Sequence, residues 1–289
     1  MKAVRTLTLG ETYRKGKSRL AAAGNESPAF DAACLFQKVF GYNRQQLAVH
    51  EREPAQAAKA EEYAALVEER AQGRPLQYIL GKWPFMELEL LVGEGVLIPR
   101  EETELLVRTA AELLKGKNNP AILDLCSGTG AVALGLASFY PKARICAVEL
   151  YDGAFSYLQK NIRNTGLRNV TPLRMDVLRP GAEEFPEWDG IVSNPPYVTT
   201  DEMETLQEEV KHEPRTALDG GADGLLFYRA IAKLWLPKLK PGGIAAVEVG
   251  DGQAAEVAAL FQAAGLGRIR VEKDFNGIAR VVAGVWDKY

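Results

Sequence analysis

The stretch AILDLCSGTGAVALGLASF, residues 121–139, decides the architecture. A short run over 122–126, apolar except for Asp124, predicts a strand buried on both faces. Gly128 and Gly130 then supply the backbone freedom for a tight turn. An apolar helix follows over 131–139. Outward from this unit the pattern recurs. Apolar strands are expected at 144–149, 170–175, 190–193, 244–249, 269–274 and 280–286, with helices at 151–164, 225–236 and 253–264 between most of them. Such alternation predicts a doubly wound α/β fold with a seven-stranded, largely parallel sheet. The last two strands lack room for a crossover helix between them and are expected to pair antiparallel.

Upstream the texture differs. Thr8 is placed to cap a helix over 11–23, Ser27-Pro28 to open a second, and Asn43 a third reaching His50. Pro54 is expected to open an Ala- and Glu-rich helix to Gln72, with Tyr63, Leu66 and Val67 on one face. Residues 75–98, PLQYILGKWPFMELELLVGEGVLI, carry β-prone runs broken by Gly81, Pro84 and Gly93-Glu94-Gly95, and read as a hairpin-like connector. A helix is expected at 102–115. The resulting division is a small all-helical domain over 1–73, a β-hairpin connector over 74–99 and an α/β domain over 100–289.

The 289 residues carry a formal net charge of −3, with 47% hydrophobic and 25% charged residues, the profile of an ordinary globular chain. That charge gives no general attraction to nucleic acid, so no direct nucleic-acid substrate is expected. Cys34, Cys126 and Cys146 are odd in number and have no CxxC spacing, which argues for reduced thiols in the cytoplasm and against a metal site. The N-terminus lacks the apolar core of a signal peptide, and no stretch is long and apolar enough to span a bilayer. A cytoplasmic monomer is the default expectation.

In doubly wound sheets, ligands bind beyond the carboxyl ends of the strands. The loops after Cys126, Glu149, Met175 and Ser193 are therefore the places to look. Asp124, Cys126, Ser127, Gly128, Thr129 and Gly130 form a glycine turn opening a helix. Alone it also satisfies a dinucleotide fingerprint, because Ala133 stands in the third glycine position. Glu149, about twenty residues on, is placed to accept both hydroxyls of a ribose. Asp176-Val177 ends the third strand and can flank an adenine ring. Together these favour an adenosine-bearing cofactor, without choosing between a nicotinamide and S-adenosylmethionine.

Asn194-Pro195-Pro196-Tyr197 follows the fourth strand at the same edge. Two prolines hold the chain extended and remove two donors, leaving carbonyls free to accept. The Asn194 side-chain oxygen and the Pro195 carbonyl can then take both hydrogens of a planar NH₂ group, with the Tyr197 ring beside it. An amide nitrogen is a poor nucleophile because its lone pair is delocalised. Two acceptors on its hydrogens return density to nitrogen and fix its line of approach, so catalysis rests on positioning and electrostatics. Asn194, Pro195 and Tyr197 are the candidate catalytic residues, and Asn194 to Tyr197 the candidate substrate site. The histidines, His50 and His212, fall outside this motif, and Gly252-Gln253 reads as the start of a helix.

With these residues in place, the chain resembles the release-factor glutamine N5-methyltransferases, the HemK or PrmC family, over nearly its full length. The resemblance rests on Gln77-Tyr-Ile-Leu-Gly81, Ile98-Pro-Arg-Glu-Glu-Thr-Glu104, the 124–130 turn, Asn194–Tyr197, Glu213-Pro-Arg-Thr-Ala-Leu-Asp-Gly-Gly221 and Gly224-Leu-Leu-Phe-Tyr-Arg229. It implies a class I methyltransferase domain preceded by a helical domain that helps bind the release factor. It implies S-adenosylmethionine as cofactor, S-adenosylhomocysteine as product, and the GGQ glutamine of class I release factors as acceptor. It further implies that Cys126 to Gly130, Glu149, Val177 and Asn194 contact the cofactor and that Arg100 to Glu104 order the site. Three positions depart from the family pattern: Glu101 replaces a proline, Glu149 an aspartate, and Cys126 a residue that is often glycine. The alternative is an adenine-N6 methyltransferase on DNA or RNA, since an exocyclic amine offers the same NH₂ geometry. It should carry a basic, aromatic-studded recognition region, and the N-terminal helices carry mixed charge.

Overall fold

The computed structural model describes residues 6–180 and 186–287. They fall into two compact units, one reaching Gly81 and including Glu208–His212, the other comprising Lys82–Gln207 and the chain from Glu213 onward.

The first unit is helical: α1 (Leu9–Ala22), α2 (Pro28–Phe40), α3 (Arg44–His50), α4 (Ala57–Ala71) and α5 (Leu76–Leu80). Thr8 and Asn43 each form a full capping box, with Glu11 and Gln46 as the reciprocal partners. Ser27 makes no side-chain cap, and Pro28 alone opens α2. Gly16 brings α1 against α4, because a Cβ there would overlap the Tyr63 hydroxyl. Tyr63 in turn meets Phe36 edge-on at 5.4 Å between ring centroids. Arg70 donates to Asp31 at 2.7 Å and to Glu209 at 2.8 Å, which ties the 208–212 segment into this unit.

Two expectations fail here. Pro54 does not open α4, which begins at Ala57. The backbone around Pro54 pairs instead with that around Thr8, Leu9 N–H donating to Glu53 and Ala55 N–H to Leu7. Residues 76–80, inside the stretch read as β-prone, form α5; Gly81 terminates it in the left-handed conformation at φ +79°.

The second unit opens with a hairpin, β1 (Lys82–Phe85) and β2 (Leu88–Leu91), then α6 (Glu102–Leu113). The main sheet comprises β3 (Ala121–Leu125), β4 (Arg144–Glu149), β5 (Val170–Arg174), β6 (Trp188–Ser193), β7 (Leu239–Glu248), β8 (Leu266–Lys273) and β9 (Ala279–Trp286). Their order is β5-β4-β3-β6-β7-β9-β8; β9 runs antiparallel to both its neighbours and the other pairings are parallel. The helices are α7 (Ala131–Phe139), α8 (Asp152–Thr165), α9 (Leu226–Ala230) and α10 (Ala254–Ala264).

Strand side chains alternate between two apolar layers. Ile122, Ile145, Ile244 and Ala246 join Leu106, Leu134 and Leu158 on one face. Leu123, Leu125, Val148, Ala245 and Val247 join Tyr228, Trp235 and Phe261 on the other. Burial on both faces explains the largely apolar character of the central strands. Truncating one such Leu or Ile to Ala costs about 2–5 kcal/mol.

The single helix expected over 225–236 is three pieces: α9, a π-helical turn at Ile231–Trp235 and a 3₁₀ turn at Leu236–Lys238. Pro237 has no N–H to return to the preceding turn, so α geometry cannot continue through it. Strand β7 starts five residues earlier than the sequence suggests; its register shifts against β6 between Trp188 and Gly190, where Gly242 and Gly243 interrupt the side-chain pattern.

Candidate active site

The carboxyl ends of β3, β4, β5 and β6 converge on a cavity of about 160 Å³, far more than the ~10–15 Å³ that seats one water. It is lined by Cys126–Thr129, Glu149, Asp176, Val177, Asn194 and Pro196, with Leu97, Leu178 and Phe227 as apolar walls. The glycine turn and the strand-end acids thus meet, as the alternating pattern required.

The turn has three left-handed residues: Cys126 at φ +59°, Gly128 at +54° and Gly130 at +86°. At Cys126 the side chain therefore sits on a strained backbone, in a conformation that glycine adopts without penalty. Burial pushes its thiol well above the usual range, so it is neutral. A Cβ on Gly130 would press Leu158 at 2.7 Å; one on Gly128 would meet only Val96, at 4.0 Å. Gly130 therefore serves packing, and Gly128 leaves its backbone open to the cavity.

Glu149 is 7% exposed and accepts three backbone N–H groups. Its Oε2 takes Gly128 at 3.0 Å, and its Oε1 takes Leu150 at 2.8 Å and Tyr151 at 2.9 Å. Burial raises its pKa while these bonds pull it down. A carboxylate has about four acceptor directions, and three are used. Asp176 Oδ1 accepts from Leu178 N–H at 2.8 Å, and the Val177 carbonyl accepts from Trp235 Nε1 at 3.0 Å. The π turn thereby fastens the third loop from beneath.

Asp124 lies outside the cavity lining. Fully buried, it accepts from Ala133 N–H at 3.1 Å, bracing the first turn of α7, and Ser127 Oγ donates to its carbonyl at 3.0 Å. Its other oxygen, Oδ1, has no hydrogen-bond partner, and burial pushes its carboxyl up to about 7. Pro195 is buried, and Tyr197 is half-buried against the second apolar layer; of the tetrapeptide, Asn194 and Pro196 reach the lining.

Two segments brace the tetrapeptide from the side of Tyr197, and further contacts hold the loops around it. Val198 N–H donates to Leu218 and Gly220 N–H to Val198, laying residues 217–221 alongside it. A Cβ on Gly220 would lie 2.7 Å from Tyr197 Cα, so only glycine permits this approach. Gln253 donates to the Tyr197 carbonyl at 2.9 Å and accepts from Gly250 at 3.0 Å. Gln253, which the sequence marks only as a helix start, thus clamps the motif. Glu213, 5% exposed, accepts from Ile98 N–H at 3.0 Å and pairs with Arg100, joining two of the segments that carry the family resemblance. Glu104 accepts from Met86 N–H at 2.9 Å and so holds the hairpin turn.

Glu248 is the residue sequence reasoning missed. Two per cent exposed, it accepts from Thr103 Oγ1 at 2.7 Å, and Thr103 accepts from Asn194 Nδ2 at 3.1 Å. It ends β7 as Glu149 ends β4; extending the strand-end rule to the fifth strand finds it. His50 pairs with Glu53, and His212 sits in a 3₁₀ turn beside Gly73; neither lines the cavity. The three cysteines are free, and among the described residues no group of His, Cys, Asp and Glu is placed to hold a metal ion. Among them, too, no helix is long and apolar enough to cross a membrane.

The sheet order and the position of the cavity define a class I methyltransferase, the class that uses S-adenosylmethionine. Residues 101–230 match the methyltransferase small domain and residues 11–81 the PrmC N-terminal domain. A 16S rRNA methyltransferase of T. thermophilus, solved with AdoMet and guanosine, shares the fold at TM-score 0.50 and 21% identity, over 71% of this chain and 49% of its own. The release factor glutamine methyltransferase of Geobacter sulfurreducens is 40% identical over 92% of both chains, and that of Caulobacter vibrioides 36% over 97% of both. The chain belongs to the release factor glutamine methyltransferase family.

Proposed function

We propose that the protein methylates the side-chain amide nitrogen of the GGQ glutamine of class I peptide-chain release factors, in the cytoplasm. The observation that carries this reading is the orientation of Asn194. Its Nδ2 is engaged by Thr103, so its oxygen is left as an acceptor at the cavity edge.

The cavity suits S-adenosylmethionine. Gly128 leaves open space where a Cβ would intrude, Glu149 keeps one acceptor direction for a ribose hydroxyl, and Val177, Leu178 and Phe227 offer apolar faces to an adenine. When bound, this cofactor supplies an electrophilic methyl group on a positively charged sulfur. Cys126, Ser127, Gly128 and Thr129 would cradle it, with Asp176 at its rim; Asp124 and Gly130 support that cradle from behind.

The Asn194 oxygen and the Pro195 carbonyl accept the two hydrogens of the glutamine NH₂, orienting its lone pair and raising its nucleophilicity. Pro196 and Tyr197 hold the acceptor strand in place, and apolar walls exclude water, which strengthens both hydrogen bonds. The helical unit is assigned to release-factor docking, and the protein acts as a monomer. Incubating it with labelled S-adenosylmethionine and either a class I release factor or adenine-containing nucleic acid tests the reading. Label confined to the release factor is expected; label in DNA or RNA would establish the adenine-N6 alternative.

A further inference from the structure

We infer that the Glu248 carboxylate, acting through the Thr103 hydroxyl, determines which end of the Asn194 amide faces the acceptor nitrogen. This rests on the reading of Asn194 as an acceptor given above. A threonine hydroxyl has one hydrogen. Thr103 donates it to Glu248 Oε2 at 2.7 Å, a length usual for a hydrogen bond to a carboxylate. Towards Asn194 it then presents only lone pairs and can only accept. Asn194 must turn its NH₂ to Thr103 at 3.1 Å and its oxygen away from it.

Reversing the charge state reverses the chain. A protonated Glu248 donates to Thr103, the hydroxyl hydrogen swings to Asn194, and the amide is free to flip. Its NH₂ would then confront the NH₂ of the substrate, donor against donor, and productive binding of that group is lost. Glu248 is thus a positioning residue: it touches neither substrate nor cofactor, and acts through two intervening side chains.

The surroundings of Glu248 set where this switch operates. Burial disfavours its charge most and Glu102 opposes it further, while Thr103, Arg280 and Arg100 favour it; the balance brings its carboxyl up to about 7. Tyr197 and Tyr228 also face it, both held neutral by burial, and the Tyr228 hydroxyl donates to the Glu248 carbonyl at 2.8 Å. Position and chemistry agree: the carboxylate of a buried acid at the end of β7 reaches the Asn194 amide through the Thr103 hydroxyl.

The test is the pH profile of turnover on release factor for the wild type, Thr103→Val, Thr103→Ser, Glu248→Gln and Asn194→Ala, with S-adenosylhomocysteine affinity by calorimetry as the check on the fold. Thr103→Val is isosteric but lacks the hydroxyl. It is expected to lower kcat roughly ten- to a hundredfold, with KM for the release factor and product affinity changed less than about twofold. Thr103→Ser should restore kcat. The wild type should lose activity on the acid side of about 7, and Glu248→Gln, which cannot titrate, should lose that acid limb. Wild-type kcat in Thr103→Val together with an inactive Asn194→Ala would overturn the relay and leave the acceptor role standing. An acid limb that persists in Glu248→Gln would likewise overturn it. Normal turnover in Asn194→Ala would remove the reading on which the relay rests.

Discussion

Glu149 and Gly128 are joined by a 3.0 Å hydrogen bond from the Gly128 amide to Glu149 Oε2, so the acid assigned to the ribose also fastens the glycine turn. Replacing Glu149 by Ala removes the acceptor for three backbone N–H groups at once. The expected result is a loss of cofactor affinity of about ten- to a hundredfold and of about 1–3 kcal/mol in stability. Calorimetric titration with S-adenosylhomocysteine and a thermal melt measure the two. Affinity unchanged from wild type would take Glu149 out of the site.

Gly130→Ala should be destabilising without touching the ligand. Its φ of +86° disfavours any L side chain, and the new methyl would stand 2.7 Å from Leu158. The combined cost is about 2–4 kcal/mol. Because the clash is with the Leu158 side chain, Gly130→Ala combined with Leu158→Ala should lose less stability than the sum of the two single losses, a coupling that a double-mutant cycle on thermal stability reads directly.

Asp124 makes stability depend on pH. Its carboxyl is raised from the ordinary carboxylate value to about 7 by burial, so the folded chain binds a proton that the unfolded chain has released. Its stabilising contribution is complete below about 4 and falls as pH rises through about 7. Glu248 shifts in the same direction and adds to the decline. Asp124→Asn retains an acceptor for Ala133 and should flatten part of this slope. Melting temperatures across pH 4 to 8 would show it, and parallel profiles for variant and wild type would count against a buried neutral Asp124.

Arg70→Met tests the helical unit. It leaves Asp31, whose side chain is 6% exposed, with Asn25 as its remaining partner and releases Glu209. Breaking a buried pair from one side costs about 3–5 kcal/mol. If this unit docks the release factor, KM for that protein should rise several-fold while affinity for the cofactor product stays within about twofold. A rise in both would mean that the unit serves the cofactor site instead.

The legible part of the fold was its periodicity. Near-complete burial makes β3, β4 and β6 largely apolar, and their carboxyl ends, with the turns that follow, bring Gly128, Glu149, Asp176 and Asn194 to one edge. What escaped depended on tertiary contact. Residues 76–80 have β-prone character but fold as α5, because Leu76, Tyr78 and Ile79 find burial there. Pro54 reads as a helix start until its neighbours pair with the Thr8 segment. Glu248 has no local signature beyond ending a strand, and its bond to Thr103 spans 145 positions. The roles of Gln253 and Glu213 are of the same kind, each set by a partner far away in the chain.

The most direct measurement of the central claim is peptide mass spectrometry of a class I release factor after incubation with S-adenosylmethionine and either the wild type or Asn194→Ala. One added methyl on the GGQ glutamine with the wild type, and none with the variant in the same time, is the predicted result. An unmodified glutamine with the wild type, or equal methylation by Asn194→Ala, would contradict it.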